Sequence, residues 1–120
     1  QFISQKAQIA QRYNHAFESL PFISPQATTP HTIPNNWLYT VKVPDRRSLL
    51  TFLKTQNIET RPLWTPMNRL SMFAENSYIT REDVSGHLFD QCLSLPCSTN
   101  LSQLDQEKVI QSILQFHASL

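Results

Sequence analysis

Between Glu59 and Arg69 the chain reads Glu-Thr-Arg-Pro-Leu-Trp-Thr-Pro-Met-Asn-Arg, the stretch where side chains suited to ligand chemistry crowd together. Pro62 and Pro66 each fix their own φ, so the backbone of Leu63-Trp64-Thr65 is restrained from both sides. An aromatic ring held in this way beside the guanidinium groups of Arg61 and Arg69 suits a ring-bearing, anionic ligand. The competing reading is packing: Trp64 and Met67 fill a core, and Arg61 carries its head out to water. Loops of this composition are common, and the residue types alone leave both readings open.

Other chemistries fail on spacing. His15, His31, His87 and His117 stand apart, and no His or Cys pair has zinc-ligand spacing. Cys92 and Cys97 have no base near them in sequence, so thiolate catalysis is disfavoured, and they read as two free thiols of a reducing cytoplasm. No nucleophile elbow or pair of carboxylates appears. The single glycine, Gly86, against eight prolines excludes a glycine-rich phosphate loop.

The elements that must position these residues follow from periodicity. Residues 2–20 carry Ile9, Tyr13, Ala16, Phe17 and Leu20 at helical spacing, ending before Pro21. Residues 21–36 hold four prolines among Thr and Asn and read as loop. Trp37, Tyr39, Val41 and Val43 then alternate with Leu38, Thr40 and Lys42, a strand with one buried face. Asp45 is placed to cap a second helix bearing Leu49, Leu50, Phe52 and Leu53, ending near Gln56-Asn57. Ile58 to Trp64 reads as a second strand. Residues 65–82 read as irregular, with a short helical turn near Ser71 to Glu75. A third helix over 82–92 presents Val84, Leu88, Phe89 and Cys92, and Leu93-Ser94-Leu95 forms a third strand that Pro96 ends. Ser102 with Asp105 resembles a capping pair before a last helix whose inner face is Val109, Ile110, Ile113, Leu114 and Phe116. The expected fold is α/β (α+β): a two-layer sandwich, one small three- to four-stranded sheet with helices on one face.

A length of 120 residues fits one domain, residues 1–120. Hydrophobic residues at 40% and charged residues at 16% are globular values. The net charge of +1, with no basic block, argues against nucleic acid as a partner. No apolar run is long enough for a membrane span, and the first residues show neither an initiator Met nor a signal peptide. A helical pattern already running at residue 2 gives the expectation of a piece of a longer chain.

Four ordered stretches carry a resemblance. They are Gln8 to Asn14 (QIAQRYN), Trp37-Leu38-Tyr39, Asn57 to Met67 (NIETRPLWTPM) and Leu93 to Leu101 (LSLPCSTNL). Together they resemble the C-terminal part of the DegT/DnrJ/EryC1/StrS sugar aminotransferases, fold-type I pyridoxal-phosphate enzymes, in the branch making 4-amino sugars on nucleotide carriers for surface glycans. The resemblance implies a small domain packed on a missing N-terminal domain that holds pyridoxal phosphate, within a cytoplasmic homodimer. It implies transfer of an amino group, typically from glutamate, to a keto group of a nucleotide-linked deoxysugar. The cofactor's lysine, its pyridine-facing aspartate and most of its phosphate cradle belong to the large domain. The resemblance gives none of Lys6, Lys42, Lys54 or Lys108 the lysine's role. No catalytic residue, metal or cofactor is therefore expected on this chain alone, and the isolated chain is expected to be inactive. Arg61, Trp64, Met67 and Asn68 are the implied substrate contacts. Asn68 stands where the family often has His, so it hydrogen-bonds but does not titrate near neutrality. Cys97 stands where Ser is frequent, and Arg12-Tyr13-Asn14 is expected to anchor the first helix to the sheet or to the missing domain. Such a domain should expose an apolar patch where its partner docks. The alternative is a free-standing, non-catalytic α/β binding or regulatory module.

Overall fold

The computed structural model describes residues 1–120. Four helices, α1 (Phe2–Phe17), α2 (Arg46–Thr55), α3 (Val84–Gln91) and α4 (Gln103–Ala118), accompany four short strands. The strands are β1 (Ser24–Pro25), β2 (Tyr39–Lys42), β3 (Arg61–Pro62) and β4 (Cys92–Leu95), in the sheet order β1-β2-β4-β3 with every neighbouring pair antiparallel. This is an α+β fold, as expected from the element order.

Local chemistry sets the helix ends. The Asp45 carboxylate accepts from the Ser48 N–H at 3.0 Å, and Ser102 Oγ accepts from the Asp105 N–H at 3.0 Å. Each satisfies an N–H that the first helical turn cannot pair internally. At the other end of α2 the Asn57 N–H bonds Lys54 O and the Ile58 N–H bonds Leu53 O. Asn57 has φ 56°. That is a Schellman cap with asparagine in the left-handed position usually given to glycine.

One face of the sheet carries the core. Tyr39 and Val41 of β2 lie opposite Leu95 and Leu93 of β4, and all four are buried. Tyr13 and Phe17 of α1, Leu49 and Leu53 of α2, and Val109, Ile113 and Phe116 of α4 close over them in a single cluster. The 3.6-residue period of these helices and the two-residue period of β2 meet in one apolar layer. The Arg12-Tyr13-Asn14 group ties α1 down. Arg12 Nη1 donates to Gln106 Oε1, the Tyr13 hydroxyl donates to Pro96 O, and Asn14 Oδ1 accepts from the Tyr39 hydroxyl.

Four expectations are corrected. Trp37 is not on the buried face but 64% exposed, because Asn36 takes a left-handed φ of 50° and turns the chain before the ladder begins at Tyr39. The strand expected over 58–64 shrinks to Arg61–Pro62: Ile58 is used by the helix cap, and the prolines donate no ladder hydrogen bond. Ser24–Pro25, read as loop, pairs with Val41 and Lys42. Finally, α3 leaves Val84 and Leu88 exposed and cedes Cys92 to β4. Its contact runs through Gly86, which is buried, and Phe89, whose ring lies 5.1 Å from the Arg46 guanidinium and 5.7 Å from that of Arg69. Both cysteines are buried and unlinked. No helix is long and apolar enough to cross a membrane.

Candidate functional site

Trp64, between its two prolines, projects from the loop after β3 and is 70% exposed. Its ring stacks on that of Trp37, with centroids 6.0 Å apart and planes 28° from parallel. Two large apolar rings held together in water are an uncommon use of tryptophan, since burial of each would contribute about 1.5–3 kcal/mol. The Trp37 main chain is pinned from beneath. Lys6 Nζ donates to Trp37 O at 3.0 Å and also to Cys97 O, while the Cys97 thiol donates to Trp37 O at 3.4 Å. Cys97 thus shares the Trp37 carbonyl with Lys6.

The tryptophan pair forms the wall between two clefts, both of which it lines together with Leu38 and Leu63. One cleft, of about 710 Å³, opens toward α1 and the Pro-rich loop. The other, of about 870 Å³, runs along the end of β4 and the start of α4 and takes in Arg61, Lys6 and Lys108, with Glu59 and Asp105. The Arg61 side chain is 79% exposed and paired with its neighbour: Nη2 and Nε donate to Glu59 Oε1 at 2.9 and 3.2 Å.

Of the four residues singled out by sequence, Arg61 and Trp64 meet at the second cleft. Met67 and Asn68 line neither cleft. They sit on a 3₁₀ turn (Met67–Arg69), where Met67 is exposed and Asn68 Oδ1 is shut away from solvent with no hydrogen-bond partner. Met67 is one of six large apolar side chains exposed between residues 67 and 88, with Met72, Tyr78, Ile79, Val84 and Leu88.

Arg69 fixes that turn. Its guanidinium donates to both Asp90 oxygens at 2.8 and 3.1 Å and lies 3.6 Å from Asp83 Oδ2. The hydrogen bond from Arg69 holds the Asp90 carboxyl below its ordinary pKa, and the Tyr78 hydroxyl does the same for Asp83. Asp83 also caps α3 from a left-handed backbone (φ 44°), accepting from the Gly86 N–H. A Cβ at position 86 would strike the Asp83 carboxylate and approach Arg69 Nη2 to 2.6 Å. The chain's one glycine is therefore where two side chains lie flat on a helix.

The match to known proteins follows this architecture. Residues 1–114 fit the model of the DegT/DnrJ/EryC1/StrS aminotransferase family. The chain belongs to that family. It is 28% identical over 122 residues to EpsN of Bacillus subtilis (strain 168), to which pyridoxal phosphate-dependent aminotransferase activity is ascribed; the match covers 96% of this chain and 31% of EpsN. In fold it is similar to the aminotransferase TlmJ from Streptoalloteichus hindustanus, with a TM-score of 0.87 at 18% identity, over 98% of this chain and 32% of TlmJ. It is also similar to Helicobacter pylori PseC, an aminotransferase involved in the biosynthesis of pseudoaminic acid, with a TM-score of 0.86 at 17% identity, over 98% of this chain and 33% of PseC. The chain spans about a third of the length of these relatives.

The family uses pyridoxal phosphate, and the residues of this chain do not fit the seat of that cofactor. It needs a free lysine amine facing a carboxylate across a ring-sized gap, with a phosphate cradle at one end. Lys6 is the only lysine held inside the fold by hydrogen bonds, and its ammonium is engaged by two carbonyls.

Two features of the site were beyond the sequence reading. Trp37 alternates with Tyr39 and Val41 as a core residue would, although Asn35-Asn36 just before it signals a turn. The Arg69–Asp90 pair spans 21 residues and has no local signature.

Proposed function

We propose that residues 1–120 are the single C-terminal small domain of a pyridoxal phosphate-dependent aminotransferase. The enzyme moves an amino group from glutamate to a keto-deoxysugar carried on a nucleotide, in the cytoplasm, toward surface glycans. The observation that carries this reading is a family match along the chain's length that spans only about a third of each relative. On this reading the N-terminal remainder holds the cofactor, the full-length enzyme is a homodimer, and this domain supplies walls and no reacting group. The role of PseC in pseudoaminic acid biosynthesis supports a sugar acceptor. The exposed apolar side chains between Met67 and Leu88 support a docking face for the remainder of the enzyme.

Arg61 and Trp64 contact the nucleotide-sugar directly. Met67 and Asn68 close the same loop, and the unpartnered Asn68 Oδ1 accepts a hydrogen bond once the neighbouring domain or substrate is in place. The test uses the full-length gene product. It should show the visible absorbance of bound pyridoxal phosphate, lose it on adding glutamate, and regain it on adding a keto-deoxysugar nucleotide. Trp64→Ala should raise KM for the sugar nucleotide about tenfold, the equivalent of about 1.4 kcal/mol of lost contact, with glutamate KM unchanged. A full-length protein with no such absorbance, or with no sugar-nucleotide turnover, overturns the reading.

A further inference from the structure

Lys6 and Cys97 meet across 91 residues of chain, the lysine from the start of α1 and the cysteine from just beyond β4. Lys6 Nζ lies 3.7 Å from Cys97 Sγ. Both groups donate to one acceptor, Trp37 O, at 3.0 Å from Nζ and 3.4 Å from Sγ, and Nζ donates to Cys97 O as well. The shared carbonyl holds amine and thiol side by side. The backbone around Cys97 is fixed too. Pro96 has a restricted φ and its carbonyl accepts from the Tyr13 hydroxyl at 2.8 Å, while Ser98 O accepts from the Leu101 N–H at 3.0 Å. Cys97 is only 8% exposed, yet it lines the cleft of about 870 Å³ together with Lys6, and the cleft gives a small solute a path to the sulfur.

A sulfur oxidised at this position has the Lys6 amine as its neighbour and no second thiol. Cys92 opens β4, and the rise of that strand to Leu95, about 10 Å, already exceeds the Cα separation of about 7 Å that a disulfide tolerates. Cys92 also lines neither cleft, and burial pushes its thiol up, which keeps it protonated and inert. We propose that Cys97 is a redox modification site, its sulfur joining the Lys6 nitrogen in a reversible sulfenamide when hydrogen peroxide enters the cleft. In the first step the sulfur takes one peroxide oxygen and the O–O bond breaks. Sulfur is oxidised by two electrons, and the other oxygen leaves as water with the thiol proton. Lys6, having released its ammonium proton to water, then attacks the sulfenic sulfur with its nitrogen lone pair. The S–O bond breaks, and hydroxide leaves as a second water with an amine proton. One thiol, one amine and one peroxide thus give one S–N bond and two waters, and a dithiol reverses the change by reducing the bond to thiol and amine. The link joins α1 covalently to the end of β4. It also removes from Trp37 O both the thiol donor and the ammonium, because the sulfenamide nitrogen is neutral. Oxidation therefore tightens α1 while it loosens the base of the tryptophan wall. This modification is independent of the proposed function.

The test treats the full-length protein with hydrogen peroxide, digests it without reductant and maps the peptides by mass spectrometry. The peptides bearing Lys6 and Cys97 should be recovered joined, lighter than their sum by two hydrogen atoms, and dithiothreitol should return them to the separate forms. Amide exchange of α1 should slow several-fold on oxidation and recover on reduction. Cys97→Ser, whose hydroxyl keeps a donor on Trp37 O, should abolish the joined peptide. Lys6→Arg should abolish it as well, since a guanidinium keeps its proton and offers no amine lone pair. Cys92→Ser should leave it in place. Cys97 recovered only as the free thiol, or only as its sulfinic and sulfonic acids, overturns the proposal, and so does Cys97 joined to Lys108 or to any other residue instead of Lys6.

Discussion

Removing one oxygen atom from Tyr13 separates two kinds of hydrogen bond in this fold. The Tyr13 side chain is fully buried, and its hydroxyl donates to Pro96 O at 2.8 Å. In Tyr13→Phe the ring still packs against Phe17 and Tyr39, but the carbonyl at the end of β4 loses its donor. Pro96 is half-buried, so its carbonyl is less open to water than Asn14, and the lost bond costs about 1.5 kcal/mol, or about tenfold in the local opening equilibrium. Tyr39→Phe is the matched control. Its hydroxyl donates to Asn14, an exposed residue that water can serve instead, so the cost should stay below about 0.7 kcal/mol, or about threefold. Amide hydrogen exchange of residues 92–97 in the full-length protein reads both numbers, because protection there reports the opening free energy. Equal effects from the two substitutions, or the larger one from Tyr39→Phe, would refute the argument that enclosure of the partner sets the cost.

The same phenols give an alkaline limit. Burial pushes both the Tyr13 and the Tyr39 pKa above the ordinary tyrosine value. A pKa raised on folding contributes stability below the unfolded value of about 10, and that stability is lost as pH climbs beyond it. Exchange protection of α1 should therefore fall above about pH 10 in the wild type and less steeply in Tyr13→Phe. The carboxyls respond with the opposite sign. Asp83 and Asp90 are held below their ordinary values, so their contribution is present above about pH 4 and lost as acid protonates them. Limited proteolysis within residues 65–83 should quicken below that range, whereas Arg69→Gln should be cut faster already at neutral pH and show little further acid response. Gly86→Ala, which in an open helix is stabilising, should here speed exchange across α3, because the new methyl displaces Asp83 and Arg69; slower exchange would mean that both side chains move aside freely.

Features governed by near neighbours were legible in the sequence. The Asp45 and Ser102 caps need three residues each, the inner faces of α1 and α4 need only a period, and β2 alternates as written. What was missed depends on partners far along the chain. Ser24–Pro25 is a strand only because Val41 and Lys42 lie beside it, and α3 turns Val84 outward because Arg46 and Arg69 claim Phe89. Within the candidate site, the proline-framed Trp64 and Arg61 could be found, because restraint and residue type are local. The cleft toward α1 could not, since α1, the Pro-rich loop and the loop after β3 each give part of its lining and none of them is unusual alone.

β4 lies at the centre of the sheet, flanked by β2 and β3, yet is the last strand in the chain. Tyr39 therefore waits for Leu95, and Arg61 for Ser94, before either gains its ladder. During synthesis β2 leaves the ribosome with only β1 to pair with and β3 with no partner, and closure onto β4 is non-local, which makes it slow and exposes the open edges to pairing with other chains. A break between residues 63 and 91 would spare three strands yet leave only the β1–β2 pair, so closure of this sheet is decided by a four-residue segment that arrives late.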